Sequence, residues 1–345
     1  MSDNIINQNQ DTNSIIDFDT SEKIKQIFVD GTAKNTLLAY KSDFEYFVCW
    51  AKMNAMPCEL PFDKDVVIKF IVDHLYGLPD DIDDALIEVG MKAKKGPHKI
   101  STIQRRIAAI SSIHKLKKLS NPCDDSDVKL MLKKAKKAAA KNGYKINKKT
   151  ATTADILGEM LSQCDDSIVG IRDRAILMFA FSSGGRRRSE VVSANIEDLQ
   201  KVPNGYLVSL GVTKTDQTGE QNLQVPVLGA SGSALEAWLN KIGNPQYGPL
   251  FRALTPKLTV TNKRLNDKAI PRIVKRLAEK AGYDPRDFSG HSMRSGFITE
   301  GGRQNINIFQ LMELSGHKSI QTAKGYYRTG NIVNNPASTM LDKKD

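Results

Sequence analysis

Basic residues are absent from the first 22 positions of this 345-residue chain, where Asp3, Asp11, Asp17 and Asp19 stand instead. Neither a secretory signal, with its cationic start, nor an Arg-rich transit peptide fits that pattern, so the sequence predicts a cytoplasmic protein. No apolar run approaches the roughly 20 residues of a membrane-spanning helix. The four cysteines, Cys49, Cys58, Cys123 and Cys164, form no C-x-x-C pair and keep no metal-ligand spacing with histidine. They read as reduced thiols partly in the core. A phosphate-cradling P-loop and a clustered carboxylate metal site are missing too.

What is present is a globular composition, 40% hydrophobic and 26% charged, on a chain long enough for two domains. Lys and Arg number 50 against 39 Asp and Glu, a net charge of +11 that suggests a polyanionic partner.

Residues 1–20 are polar, rich in Asn, Gln and Asp, and predict a disordered tail. From Ser21 the pattern is helical. Thr36 is placed to cap a helix over Leu37–Lys52, where Leu37, Tyr40, Phe44, Phe47 and Val48 recur at spacings of three and four. Asp65–Tyr76, Thr102–Leu116 and a Lys-rich Asp127–Ala140 follow as helices. An acidic stretch, Pro79–Glu88, and a basic one, Lys92–Lys99, lie among them. Residues 21–141 thus predict an all-helical domain. Lys129–Lys149 holds nine lysines and no carboxylate, a self-repelling run that a phosphate backbone would relieve. Asn142-Gly143 breaks the helix and makes 142–152 a basic linker.

The remainder, 153–345, predicts a mainly helical domain with one small antiparallel sheet. Helices are expected over Ala154–Cys164, Ile171–Ser182, Ser189–Asp198, Ser233–Ile242, Asp267–Ala281, His291–Gly301 and Ile308–Leu314. Tyr206–Val212 and Asn222–Val227 read as a hairpin.

Four short patterns here are each ordinary alone. Gly185-Arg186-Arg187-Arg188-Ser189-Glu190 opens a helix, with Arg187 and Glu190 on one face; by itself it is a surface basic cluster. Lys214 sits at the hairpin tip, where a lysine is usually a solvated charge. Gly290-His291-Ser292-Met293-Arg294 spaces an imidazole, which can move protons near neutral pH, three residues from a guanidinium, a planar fork for phosphate oxygens. Ser315-Gly316-His317 precedes the pair Tyr326-Tyr327 by nine residues, and paired tyrosines are normally packing.

In this order and at these separations, the patterns resemble the tyrosine recombinase (phage integrase) family, and among its members the Cre-type phage and plasmid enzymes. The signature is an Arg in G-x-R-x-x-E, a hairpin Lys, H-x-x-R, a His or Trp, and a terminal Tyr. The resemblance covers about residues 21–341. It implies an N-terminal helical core-binding domain, a C-terminal α+β catalytic domain, and site-specific recombination through a 3′-phosphotyrosyl intermediate and a Holliday junction. Arg187 and Arg294 would clamp the scissile phosphate. His291 and His317 would hydrogen-bond its oxygens, with His291 assisting proton removal from Tyr326. Lys214 would protonate the leaving oxygen, and Glu190 would orient the others. The chemistry agrees: displacement at a phosphodiester develops negative charge, and each fixed donor aimed at such charge is typically worth about 2.7–4 kcal/mol. A phenol of pKa about 10 needs such activation near neutrality. No metal or other cofactor is implied, because the phosphotyrosyl bond conserves the energy for rejoining.

The resemblance also implies double-stranded DNA with an inverted-repeat site, a homodimer on each site, a homotetramer in the synapse, and a bacterial or phage-encoded protein on nucleoid DNA. The tail after Tyr326, with Ile332, Val333, Met340 and Leu341, would dock on a neighbouring protomer. Lys41, Gln104, Arg105, Arg106, Lys145, Arg264 and Arg272 are the candidate DNA contacts. Pro79–Lys99 is longer than the corresponding Cre-type connection, and Gly184-Gly185 adds backbone freedom ahead of Arg187. Two rivals use parts of this set: a type IB topoisomerase-like enzyme and a catalytically silent DNA-binding regulator.

Overall fold

In a computed structural model of the chain, the described residues are 26, 30–143, 149–211 and 224–332. The chain divides into two compact units, Met1–Ile146 and Asn147–Asp345. The expected disordered tail, Lys145, Lys214 and the residues from 333 onward lie outside the described residues.

The described part of the first unit is helical: α1 (Lys34–Met53), α2 (Lys64–Tyr76), α3 (Asp80–Glu88), α4 (Ile100–Leu116) and α5 (Ser126–Lys141), with a 3-10 turn at Pro122–Asp124. Tyr46, Phe47, Trp50 and Ala51 form the buried stripe of α1, and they share a core with Phe70 and Ile71 of α2 and Ile103, Ile107 and Ile110 of α4. The rings of Phe47 and Trp50 meet Phe70 at centroid distances of 4.9 and 5.0 Å.

The expected cap at Thr36 is not made. The helix begins at Lys34 after the extended Ala33, and Thr36 sits inside the first turn with its N–H donated to Ala33 O. The acidic stretch after Pro79 is itself a helix, α3, because Asp80, Asp81 and Asp83 favour the positive end of its dipole. Asp83 is buried, ion-paired to Lys92, and accepts from Gly96 N at 2.8 Å. The basic stretch therefore folds back onto the acidic helix.

In the second unit the described helices are α6 (Ala154–Ser162), α7 (Ile168–Ser182), α8 (Arg188–Ser193), α9 (Ala230–Lys241), α10 (Ala269–Lys280), α11 (Ser292–Arg303), α12 (Ile308–Ser315) and α13 (Ile320–Gly330). The expected hairpin is β2 (Gly205–Ser209) with β3 (Gln224–Leu228), paired antiparallel with Val208 opposite Val225. An unexpected strand, β1 (Leu199–Val202), extends it into the order β1-β2-β3, and β4 (Arg252–Leu254) and β5 (Val260–Arg264) form a second, two-stranded sheet. Trp238, Phe179, Phe251 and Phe288 fill the core.

The helix expected over Ser189–Asp198 stops at Ser193. Ala194 turns extended, Asn195 bridges to Pro249, and Arg264 Nη1 donates to Val192 O at 2.5 Å and Ala194 O at 3.2 Å. Two carbonyls at the end of α8, those of Val192 and Ala194, thus take a guanidinium instead of further helical turns.

Candidate active site

The turn from α7 into α8 is built by its two glycines. Gly184 and Gly185 hold φ of +100° and +69°; a Cβ at Gly184 would stand 2.3 Å from Leu314 O, and one at Gly185 2.6 Å from Arg294 Cα. The pair is there for close approach, not for freedom ahead of Arg187.

The three arginines that follow take three different environments. Arg186 is buried, donating through Nε to Ser183 O at 2.7 Å and through Nη2 to Leu314 O, with Nη1 3.7 Å from Glu190 Oε2. Arg187 is the N-cap residue of α8 and donates from Nη1 to Glu190 Oε1 at 2.6 Å. Glu190 in turn accepts the Arg187 backbone N–H at 3.2 Å. Arg188 turns outward to Asp267 at 3.1 Å. Spacing alone singles out Arg187; nothing in the triplet marks Arg186 as a buried strut.

His291 is the N-cap residue of α11, and Arg294 lies in the first turn, 2% exposed. Arg294 Nη1 donates to Ser315 O at 2.6 Å and Gly185 O at 3.3 Å, while Nη2 is buried without a hydrogen-bond partner. A buried guanidinium nitrogen left unsatisfied is costly in an isolated protein and suits an incoming anion. Burial, with the nearby Arg187 charge, lowers the Arg294 pKa to about 10.

The Ser315-Gly316-His317 segment is the end of α12. Gly316 is left-handed at φ 66°, its N–H donates to Glu313 O at 3.3 Å, and the His317 N–H donates to Met312 O at 3.1 Å. These two bonds close a Schellman motif, so the glycine is what turns His317 back over the helix end. The Ser315 hydroxyl lies 2.7 Å from His317 Nδ1.

Tyr326 is carried by α13, which lies against α11 through glycine-to-backbone contacts. A Cβ at Gly302 would stand 2.4 Å from Tyr327 O, and one at Gly330 1.9 Å from Thr299 O. The approach puts the Tyr326 hydroxyl 3.5 Å from His291 Nε2, with the rings 6.2 Å apart. Tyr327 instead lines a separate groove of about 660 Å³ together with Ile308, Phe309, Ile320, Lys324 and Arg328.

The structure therefore brings together Arg187, Glu190, His291, Arg294, His317 and Tyr326. Both histidines are pushed toward the neutral form. Burial lowers the His291 pKa, helped by Arg294 and Arg187, and the same causes bring His317 to about 4. Glu190 is the carboxylate among the guanidiniums, so the cluster favours an anion. No group of three or more His, Cys, Asp or Glu side chains placed to hold a metal ion occurs among the described residues, and no described helix is long and apolar enough to cross a membrane.

The other candidate contacts scatter. Lys41 is exposed and 3.9 Å from Glu45. Gln104 is exposed on α4, whereas Arg105 donates to Asp43 at 2.5 Å. Arg106 is turned inward: its guanidinium lies 3.1 Å from the Tyr46 ring centroid and donates to His98 Nε2 at 3.1 Å. It is a core cation, not a groove reader, because the Tyr46 face and the buried Asp43 compensate its charge. Arg264 is engaged at the end of α8, and Arg272 is exposed on α10.

Residues 150–331, more than half of the chain, match the phage integrase family. The chain belongs to the phage integrase family. It is thereby a tyrosine site-specific recombinase. An integrase/recombinase xerD homolog of Selenomonas ruminantium is 28% identical over 334 residues, 94% of this chain and 90% of that protein. The recombinase Cre of Escherichia phage P1 is 21% identical over 265 residues, 72% of this chain and 76% of Cre. Between these two relatives, the xerD homolog shares more identity over a longer stretch. Among solved structures, the Tn1549 transposon integrase in complex with transposon right end DNA aligns with a TM-score of 0.59 at 15% identity, covering 92% of this chain and 97% of that one. At that identity the likeness establishes the integrase-family fold.

Proposed function

We propose that this protein cuts and rejoins double-stranded DNA at an inverted-repeat site, with Tyr326 as the nucleophile. The observation that carries the reading is the pairing of the Tyr326 hydroxyl with His291 beside Arg187 and the unsatisfied Nη2 of Arg294.

In this reading Arg187 and Arg294 hold two oxygens of the scissile phosphate, and His317 donates to an oxygen. His291, whose pKa burial and the neighbouring guanidiniums lower, takes the phenolic proton as the Tyr326 oxygen bonds to phosphorus. The bond from phosphorus to the 5′ oxygen breaks, and that oxygen leaves with a proton from Lys214, giving a 3′-phosphotyrosyl link and a free 5′ hydroxyl. Attack by a 5′ hydroxyl from the partner site reverses the step and exchanges strands through a Holliday junction. The inverted-repeat site calls for two protomers per site and four in the synapse, with the segment after Tyr326 docked on a neighbour. The first unit supplies phosphate contacts through the lysines of α5, and Gln104, Arg272 and Lys41 remain candidate contacts on exposed surfaces.

Covalent trapping on nicked suicide DNA tests the assignment. Wild-type protein and Tyr327→Phe should form the adduct, and Tyr326→Phe should not. An adduct that survives Tyr326→Phe refutes the nucleophile. Activity that does not depend on two specific sites would instead favour the topoisomerase-like chemistry.

A further inference from the structure

A neutral imidazole exists as two tautomers, and only the one protonated at Nε2 donates a hydrogen bond from that nitrogen. His317 is neutral beside three guanidiniums, so its usefulness to an anion depends on which nitrogen holds the proton. Among the described residues, the hydroxyl of Ser315 lies 2.7 Å from its Nδ1 and can decide this.

Ser315 is fully buried, and two acceptors compete for its hydroxyl hydrogen. Met312 O lies 3.4 Å away, outside the usual 2.5–3.0 Å range for O–H···O bonds, and already accepts the His317 backbone N–H at 3.1 Å. Nδ1 is the better acceptor on distance. The same serine is immobilised by its carbonyl, which accepts from Arg294 Nη1 at 2.6 Å, and by the left-handed Gly316 that follows. Arg186, donating to Leu314 O, secures the adjoining carbonyl of the helix end. One residue thus joins the Arg294 guanidinium to the His317 ring.

We propose that Ser315 is a positioning residue whose hydroxyl donates to Nδ1 of His317 and holds the ring as the Nε2–H tautomer, a donor aimed at the scissile phosphate. The inference rests on the reading of His317 as a phosphate ligand. Removing the hydroxyl leaves Nδ1 without its donor, lets the second tautomer form, and makes protonation easier. The ring should then titrate closer to the ordinary value of about 6.5.

The test is ¹⁵N NMR of the full-length protein labelled at histidine, with His317 assigned by its loss in His317→Gln, together with single-turnover adduct formation on suicide DNA. Wild-type His317 should show an unprotonated Nδ1 and a protonated Nε2 at pH 7. Ser315→Ala should show a mixed tautomer signal, an upward shift in the titration of this ring alone, and adduct formation slower by about tenfold, the size of one lost hydrogen bond. Ser315→Thr, which restores a hydroxyl, should recover the wild-type signal and most of the rate. A protonated Nδ1 in the wild type overturns the inference whether or not any variant folds. So does an adduct formed by Ser315→Ala at the wild-type rate. If the wild type shows the Nε2–H tautomer but forms no adduct, the phosphate reading itself fails, an outcome distinct from both.

Discussion

Glu190 accepts a 2.6 Å hydrogen bond from Arg187 through one carboxylate oxygen and faces Arg186 Nη1 at 3.7 Å with the other. A single buried carboxylate therefore balances two guanidiniums, one committed to the scaffold and one turned toward the site. The arrangement also explains why Glu190 stands three residues after Arg187: its carboxylate returns to the Arg187 backbone N–H at 3.2 Å and closes the start of α8.

Glu190→Ala should lower stability by about 3–5 kcal/mol, because it leaves two partly or wholly buried cations uncompensated. Glu190→Gln keeps an acceptor for the Arg187 N–H and should lose less. Urea unfolding of the two variants checks the order. Equal losses would show that the charge of Glu190 is unimportant.

Gly302→Ala should uncouple Tyr326 from His291. The new Cβ would stand 2.4 Å from Tyr327 O, so α13 must shift away from α11. Adduct formation should fall by at least tenfold, while the affinity for uncleaved DNA changes little, since the arginines sit on α8 and α11. A gel-shift titration beside a suicide-substrate assay separates the two, and parallel losses would contradict the prediction.

Acid should destabilise the protein. Burial lowers the pKa of His74 to about 2 and of His98 to about 4 in the first unit, and of His317 to about 4 in the second. Above the unfolded value of about 6.5, both folded and unfolded forms are neutral and pH has no leverage. Below it the unfolded chain takes up protons that the folded chain refuses. Stability then falls from pH 6.5 toward 4, by at most about 1.4 kcal/mol per pH unit for each histidine. Thermal midpoints at pH 7, 6 and 5 should decline in that order; a level series would contradict the buried neutral imidazoles.

Much of this protein was legible from spacing. Helices with an apolar stripe at three and four announce themselves because burial repeats with the helical turn. In α1 the expected Phe44, Phe47 and Val48 do face the core, although the fully buried Tyr46 and Trp50 were not among those the spacing picked out. The hairpin of β2 and β3 and the order Arg187, Glu190, His291, Arg294, His317, Tyr326 were likewise readable. Strands β1, β4 and β5 were not: β1 and β4 hold only three or four residues, and β5 (Val260–Arg264) is polar and shows none of the alternation between buried and exposed positions that marks β2 and β3.

The sequence by itself determined the chemistry available: which residues can clamp, move protons or attack, and in what order they occur. Only the tertiary structure decided which neighbours do so. Arg186, Arg187 and Arg188 are chemically identical, and their roles diverge because Gly184 and Gly185 let Leu314 and Arg294 approach the turn and bury one of them. Arg105 and Arg106 divide in the same way: consecutive helix positions face about 100° apart, so Arg106 meets the Tyr46 ring while Arg105 stays half exposed. Tyr326 and Tyr327 are separated by that same rotation, which turns one hydroxyl to His291 and leaves the other ring lining a separate groove.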